Sequence, residues 1–222
     1  MHPNFVQIDL RIDMDTTEKK IPVSVYAEST PNPATMKFVC SVAFTESGSS
    51  VEFHDVSETT KAPLAARLFS FPFVTGVFFS NDFITITKND LVDWQDIFGE
   101  VREYIQNFLA AGQDIFTESP KTITTEKEVK KAENTDILLA KTPETETEKR
   151  IVEILEEYVR PAVESDGGAI DYHSYDGKGT VTVILKGSCS GCPSSSVTLK
   201  NGIQGLFNQM MPEITEVVAL EA

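Results

Sequence analysis

The chain has 222 residues and a formal net charge of −15, and this length suits two small domains better than one. Acidic side chains outnumber basic ones along the whole chain, which argues against nucleic-acid phosphates and anionic membrane surfaces as partners. No apolar stretch approaches the roughly 20 residues that a membrane-spanning helix needs. The sequence therefore predicts neither a nucleic-acid partner nor a membrane partner.

Residues 1–21 are interpreted as an N-terminal extension. They lack a basic segment followed by an apolar one, and Asp9, Asp13 and Glu18 are unlike an organelle transit peptide, which avoids acidic residues. The chain has three cysteines, an odd number that does not form a disulfide framework and fits a reducing compartment. Together these features predict a cytoplasmic location.

Residues 22–115 are predicted to form a first domain that mixes strands and helices. Alternating or β-prone runs indicate strands, and apolar residues repeated along one face indicate helices. In chain order, the predicted elements are strands at 23–28, 36–44 and 51–53, a short helix at 63–69, a hairpin of 74–79 with 83–88, and a long helix at 91–111. Gly112 follows the long helix, at a position where glycine commonly ends one.

Residues 116–146 are interpreted as a flexible linker. From Thr117 to Lys149 the chain is rich in Thr, Glu and Lys and has no aromatic residue. Low hydrophobicity with mixed charge is typical of a solvated tether. We therefore expect no fixed arrangement of the domains on either side of it.

Residues 147–222 are predicted to form a second domain with the order α-β-β-α-β. Thr145 and Glu148 have the spacing of a capping box at the start of its first helix. The elements that follow are strands at 169–175 and 180–185 around a Gly-rich turn, a helix with Pro193 in its first turn, and a last strand at 214–220. The fold class predicted for the whole chain is α/β (α+β), with two small domains joined by the linker.

Cys189 and Cys192 are the candidate metal-binding and cofactor-binding residues. They lie in the run Gly187-Ser188-Cys189-Ser190-Gly191-Cys192-Pro193, between a predicted strand and a predicted helix. The free N–H groups and the dipole at the start of that helix favour thiolates and suit an anionic cluster. Ser188 and Ser190 offer hydroxyl groups for hydrogen bonds to sulfur. However, tetrahedral zinc and iron–sulfur sites usually need four protein ligands, and this run supplies two.

A purely structural buried pair is the least favoured interpretation, because Ser and Gly surround the cysteines instead of core residues. Three other interpretations stay open on the residues alone. In the first, two chains each bring one pair to a shared cofactor. In the second, the pair is a redox dithiol, although thioredoxin-like proteins have an aromatic residue just before the first cysteine, where this chain has Gly-Ser. In the third, the pair holds structural zinc, which needs two more ligands, and His173 is the only nearby imidazole. The third cysteine, Cys40, ends an apolar strand pattern and is predicted to pack in a core.

The residues around the cysteines resemble the signature of the NifU C-terminal, or Nfu-type, domain. The similarity covers about residues 148–222: the signature itself is at residues 188–203, and Arg160-Pro161, Asp166-Gly167-Gly168 and residues 212–217 fit the same family in order and spacing. Ala169 departs from the pattern, since many relatives carry an acidic residue there. The upstream domain resembles the Nfu N-terminal domain through residues 28–33, 63–65 and 83–88, with Trp94 shortly after.

This resemblance implies an iron–sulfur cluster scaffold and carrier and not an enzyme, so no catalytic residue is expected. In this family two subunits each contribute a CxxC pair. The resemblance therefore implies that Cys189 and Cys192 hold a [4Fe–4S] cluster shared across a homodimer. The implied partners are apo iron–sulfur client proteins and upstream assembly factors. A thiol–disulfide oxidoreductase and a zinc-stabilised protein-interaction module remain the alternatives.

Overall fold

The computed structural model describes residues 22–118, 141–191 and 193–221. The predicted extension at residues 1–21 and most of the predicted linker lie outside these ranges. Within them the chain forms a mixed α+β fold with two sheets, which confirms the predicted fold class. Residues 22–118 are called the first unit below, and residues 141–221 the second unit.

The first unit is built on one antiparallel sheet. Its elements are β1 (Val25–Ser29), β2 (Thr35–Cys40), β3 (Ser50–Phe53), a 3₁₀ turn (Val56–Glu58), α1 (Pro63–Leu68), β4 (Val74–Ser80), β5 (Phe83–Lys88) and α2 (Trp94–Ala110). The five strands are arranged in the order β1-β2-β5-β4-β3. The long helix begins three residues later than predicted, because Asp93 keeps an extended backbone as its N-cap.

The two faces of this sheet have different neighbours. Successive side chains on a strand point to opposite faces, and Phe38, Phe79 and Ile84 lie in the core that includes residues of both helices. The rings of Phe38 and Trp94, for example, meet edge-on with centroids 6.2 Å apart. On the opposite face, directly paired residues of four adjacent strands form what we call the cross-strand row: Lys37, Thr85, Phe78 and Glu52.

The second unit has the predicted order of elements. They are α3 (Glu146–Ile154), a π-helical turn (Leu155–Val159), α4 (Arg160–Ser165), β6 (Gly168–Tyr175), β7 (Thr180–Gly187), α5 (Pro193–Met210) and β8 (Glu216–Glu221). Strand β7 is central, antiparallel to β6 and parallel to β8. Parallel neighbours need a crossover connection, which α5 supplies between β7 and β8.

The helical segment before β6 begins and bends for identifiable reasons. The predicted capping box is formed, because Thr145 Oγ1 accepts a hydrogen bond from Glu148 N at 3.2 Å while Glu148 Oε2 accepts one from Thr145 N at 2.8 Å. Further along, Pro161 has no N–H to donate, and the helix widens into the π turn just before it. The segment ends at Gly167, whose φ of +83° turns the chain into β6.

The core of the second unit lies between its helices and its sheet. Ile154, Val183 and Phe207 are among its buried residues, and Cys189 belongs to the same buried cluster. The candidate cysteine is therefore at the edge of a packed core. Among the helices of the described ranges, none is both long and apolar enough to cross a membrane.

Candidate metal centre

Cys189 lies in the turn that leads from the end of β7 toward α5. Gly187 and Gly191, on either side of it, have φ angles of +63° and +70°, which glycine adopts without steric cost. The side chain of Cys189 is buried, with 4% of its surface exposed. The other predicted ligand, Cys192, lies outside the described residues. The structure thus places one of the two predicted ligands, and the pair as a metal site stays a prediction.

A glycine forms the surface on which Cys189 rests. A Cβ atom at Gly168 would lie 2.7 Å from Cys189 Sγ and 2.7 Å from Lys186 O, so no larger residue fits without movement. The neighbouring turn is equally tight, since a Cβ atom at Gly187 would lie 2.8 Å from Gly167 O. The Asp166-Gly167-Gly168 run therefore does more than end a helix, because it brings the start of β6 against the sulfur. The sequence pattern pointed to the two glycines, but it did not predict that Gly168 contacts Cys189 Sγ.

Ser188 joins the cysteine turn to the end of the preceding helical segment. Its N–H donates to Gly167 O at 3.2 Å, and its hydroxyl donates to Asp166 O at 2.5 Å. Its oxygen also lies 3.9 Å from Cys189 Sγ, in a contact for which either atom could be the donor. The sequence suggested serine hydroxyls as donors to sulfur. In the structure Ser188 fixes the turn through its hydrogen bonds to Gly167 O and Asp166 O.

Cys189 also lines an open apolar cavity of about 750 Å³. One wall comes from the π turn and α4, another comes from α5, and Pro31 of the first unit completes the lining. The apolar lining of the cavity includes Pro31, Tyr158, Val163, Leu199 and Leu206. The sulfur-bearing turn therefore borders a space large enough to admit part of a partner molecule.

The cross-strand row of the first unit contacts the residues that support Cys189. At the row's centre, Thr85 Oγ1 donates to Gly167 O at 2.6 Å, and a Cβ at Gly187 would lie 2.8 Å from Phe78 Cδ1. At its ends, Lys37 Nζ donates to Ser165 O at 3.3 Å, and Glu52 Oε1 accepts from Gly187 N at 3.2 Å. Every member of the row thus touches either the turn before β6 or the turn after β7.

Two further contacts from the first unit close this interface. Asn32 Nδ2 donates to Ser188 O at 3.1 Å, next to Cys189, and the Asn32 side chain is buried. Phe78 and Phe83 pack with Ala169 in a small apolar cluster of their own. The sequence patterns named none of these residues as part of the site. Asn32 lies within the segment that carries the resemblance of the first domain, whereas Glu52 had no signal beyond a charge within a strand.

Burial raises the pKa of two side chains of the first unit, Glu52 and Cys40. Desolvation raises the pKa of Glu52 to about 7, although the hydrogen bond from Gly187 N and the charge of Lys186 act in the opposite direction. Desolvation likewise raises the pKa of the Cys40 thiol to about 12, with Asp82 adding to the effect. Cys40 is therefore a neutral thiol within the core of the first unit, as its strand pattern predicted.

The structure does not bring His173 to Cys189. His173 is five residues beyond Gly168 on β6, which corresponds to roughly 16 Å along a strand, and its Nδ1 lies 2.8 Å from Ser174 Oγ. In the part of the chain that the structure describes, no three His, Cys, Asp or Glu side chains are grouped as a metal site would require.

Comparison with known proteins gives two family matches. The model for the N-terminal domain of the scaffold protein Nfu/NifU matches residues 25–112, and the model for the NifU-like domain matches residues 151–218.

Three relatives match over both regions. The first is NifU-like protein 4, mitochondrial, of Arabidopsis thaliana, at 37% identity over 89% of this chain and 65% of the relative. The second is NFU1 iron-sulfur cluster scaffold homolog, mitochondrial, of Drosophila willistoni, at 38% over 87% and 62%. The third is NifU-like protein 5, mitochondrial, of Arabidopsis thaliana, at 34% over 92% and 69%.

The two family models match the two units of this chain in chain order. The chain belongs to the NifU-like, or Nfu-type, scaffold family, as its resemblance implied. It spans 65% and 62% of the length of the first two relatives.

The predicted cytoplasmic location is wrong. All three relatives are named mitochondrial, which contradicts it. The prediction rested on the acidic character of residues 1–21 and on three cysteines that form no disulfide framework, and neither feature specifies the compartment in which the protein works.

Proposed function

We propose that this chain is a scaffold and carrier that binds a [4Fe–4S] cluster as its cargo and transfers it to apo-proteins, and that it works in mitochondria. Two copies each contribute Cys189 and Cys192, so that four thiolates surround one cluster. The observation that carries the proposal is the position of Cys189, between the end of β7 and the start of α5 and beside an open cavity. The names of the relatives support both the scaffold role and the compartment.

The residues of the chain suit a bound but transferable cargo. The first turn of α5 offers backbone N–H groups and the positive end of the helix dipole, which stabilise thiolates and a negatively charged cluster. Only two ligands come from each copy, so the site is complete only when a second chain or a client supplies the others. Transfer is then a ligand exchange without net redox change, in which a client thiolate replaces Cys189 or Cys192 and the released cysteine takes up a proton.

The predicted domain arrangement gives the two units separate roles. In our proposal residues 147–222 carry the cluster, residues 22–115 recruit client proteins or assembly factors, and the linker at residues 116–146 allows them to separate. The acidic surface of the chain favours basic patches on those partners.

Anaerobic reconstitution of the full chain with iron and sulfide tests the proposal. We expect cluster absorbance, about four irons per two chains, and a shift from monomer to dimer on loading. Cys189→Ala should abolish all three, whereas the matched control Cys40→Ala, within the core of the first unit, should keep them. A native protein that holds zinc and develops no cluster absorbance would contradict the proposal, as would disulfide reductase turnover by the metal-free monomer.

A further inference from the structure

We propose that the first unit is a reversible cover for the cysteine turn, held in place by Asn32 and Glu52, and that it must move away before two chains share a cluster. The inference rests on the proposed function, since it concerns how the cysteines become available to a second chain.

The cover acts on the backbone on the N-terminal side of Cys189. Glu52 accepts from Gly187 N, and Asn32 donates to Ser188 O, so the two residues immediately before the cysteine are both bound by the first unit. Pro31, next to Asn32, lines the same cavity as Cys189. A cluster shared by two chains requires two such turns to face each other at close range. Cys189 is itself buried in the core of the second unit, and the first unit occupies the side of its turn that carries Gly187 N and Ser188 O, so a second turn cannot approach from that side.

The interface between the two units is mainly polar, so it can form and open again. Its apolar part is small and consists of Phe78, Phe83 and Ala169, with Val39 at the margin. The rest is polar, and interfaces of this kind between domains of one chain commonly open and close. Long apolar interfaces, in contrast, lock domains together.

Glu52 adds a cost to the closed arrangement. Its Oε2 atom is buried and has no hydrogen-bond partner among the described residues. An unsatisfied buried carboxylate oxygen is unfavourable, and the raised pKa of Glu52 reflects the same lack of solvation. Of the charged groups that act on this carboxylate, Lys186 on β7 offsets the cost and Glu58 in the 3₁₀ turn adds to it. Opening would return the carboxylate to water, which offsets part of the stabilisation that the hydrogen bond from Gly187 N gives to the closed arrangement.

The cross-strand row explains why the fit is specific. Four directly paired strands present Lys37, Thr85, Phe78 and Glu52 in one line, and the line matches the two turns that carry Gly167 and Gly187. Both glycines are in close contact with it, since a Cβ at Gly167 would lie 3.0 Å from Thr85 Oγ1. The sheet face is therefore shaped to receive the cysteine turn of its own chain.

The test compares full-length apo chains that carry Asn32→Ala, Glu52→Ala, or both, with the wild type. Amide hydrogen exchange at Gly187 should become about tenfold faster in Glu52→Ala, the factor that corresponds to the net worth of one hydrogen bond, while the amide of Val183 in the middle of β7 should not change. Alkylation of Cys189, followed by peptide mass spectrometry, should accelerate by a similar factor, and by more in the double variant. The initial rate of cluster loading should rise with it, and the final iron content should stay the same.

Two further variants serve as controls for the exchange and alkylation measurements. Glu52→Gln retains an oxygen that accepts from Gly187 N, and so its Gly187 exchange should stay within about twofold of the wild type. Glu100→Ala, at an exposed position of α2 in the same unit, should match the wild type in every measurement.

The proposal is overturned if Asn32→Ala and Glu52→Ala leave Gly187 exchange and Cys189 alkylation unchanged. It is also overturned if Val183 exchanges faster by the same factor, because the variants would then act through overall stability. Slower loading despite faster alkylation would mean that the contacts help to load the cluster instead of covering its ligands. If alkylation accelerates as expected but no chain acquires a cluster, the cover stands and the proposed function fails.

Discussion

Replacing Gly168 with alanine perturbs the contact on which Cys189 rests. The added Cβ would lie 2.7 Å from Cys189 Sγ, 3.2 Å from Cys189 Cβ and 2.7 Å from Lys186 O. The carbonyl of Lys186 belongs to the paired backbone of β6 and β7 and cannot swing aside as a flexible side chain would. The cysteine turn must therefore move, and with it the sulfur.

The magnitude follows from two opposing effects. Forcing one extra methyl group into a packed site costs about 1–3 kcal/mol. Alanine also restricts the unfolded chain relative to glycine, which stabilises the folded state by about 0.4–1 kcal/mol. Gly168 has no positive φ angle, so no backbone strain is added. We expect Gly168→Ala to lower the free energy of unfolding by about 0.5–2 kcal/mol in total.

Urea unfolding with two probes measures this loss. Trp94 is the only tryptophan of the chain and belongs to the first unit, so its fluorescence follows that unit, whereas far-ultraviolet circular dichroism follows both. The loss should therefore be larger in circular dichroism than in fluorescence. In the same variant, anaerobic reconstitution should yield much less cluster absorbance, because the Cys189 sulfur is displaced from its place beside β6.

Gly205→Ala is the matched control. Gly205 lies inside α5, with nothing within 4 Å of a Cβ built there, and alanine in a helix interior is favoured over glycine by about 0.8–1 kcal/mol. This variant should be slightly more stable than the wild type and should load iron normally. If Gly168→Ala behaves like Gly205→Ala in both measurements, the contact between Gly168 and Cys189 does not have the role given to it here.

Two more substitutions test the second unit. Glu148→Gln removes a carboxylate whose pKa is lowered from 4.5 to about 2 by hydrogen bonds from Thr145 N and from the Tyr172 hydroxyl. A lowered folded pKa contributes stability that is present above 4.5 and is lost as the pH falls toward 2, so the free energy of unfolding should fall less steeply across that window in the variant. An equally steep fall would count against this assignment. Phe207→Ala empties a fully buried position between α5 and the sheet and should lower the free energy of unfolding by about 3–5 kcal/mol. If the free energy of unfolding measured by circular dichroism falls by less than about 1 kcal/mol, neighbouring side chains collapse into the cavity that the substitution leaves.

Local patterns were sufficient to predict the order of elements in both units. Two β-prone runs on either side of a polar turn gave the hairpin of β4 and β5, and the spacing of Thr145 and Glu148 gave the helix start, because both depend on residues a few positions apart. Boundaries were less accurate. The strand predicted at 36–44 ends at Cys40, although Phe44 is still buried, because the chain continues into the core without pairing as a strand.

The environment of Cys189 could not be predicted in the same way. Gly168 and Cys189 are 21 positions apart, and their contact depends on the register of β6 against β7. Glu52 and Gly187 are 135 positions apart and belong to different units. The alternation of Val51, Glu52 and Phe53 placed Glu52 away from the core of the first unit, which normally means solvent. Only the second unit, packed on that face, turns a surface position into a buried one.

The half-complete ligand set and the buried cysteine fit together. In the proposed function, a chain that supplies two thiolates has an incomplete metal site whenever no second chain or client is bound, and a thiolate at a helix start is the form of cysteine that reacts most readily with oxidants and other thiols. Cys189 is buried against Gly168 in the core of the second unit, and the first unit holds the turn just before it, which together limit that reactivity in the apo chain. In the proposed function this arrangement also opposes cluster binding, so the contact between the units has to be weak enough to open. A mainly polar interface with one unsatisfied carboxylate oxygen, at Glu52, can both protect the cysteine turn and open. An extended apolar interface would protect the turn but would not open readily.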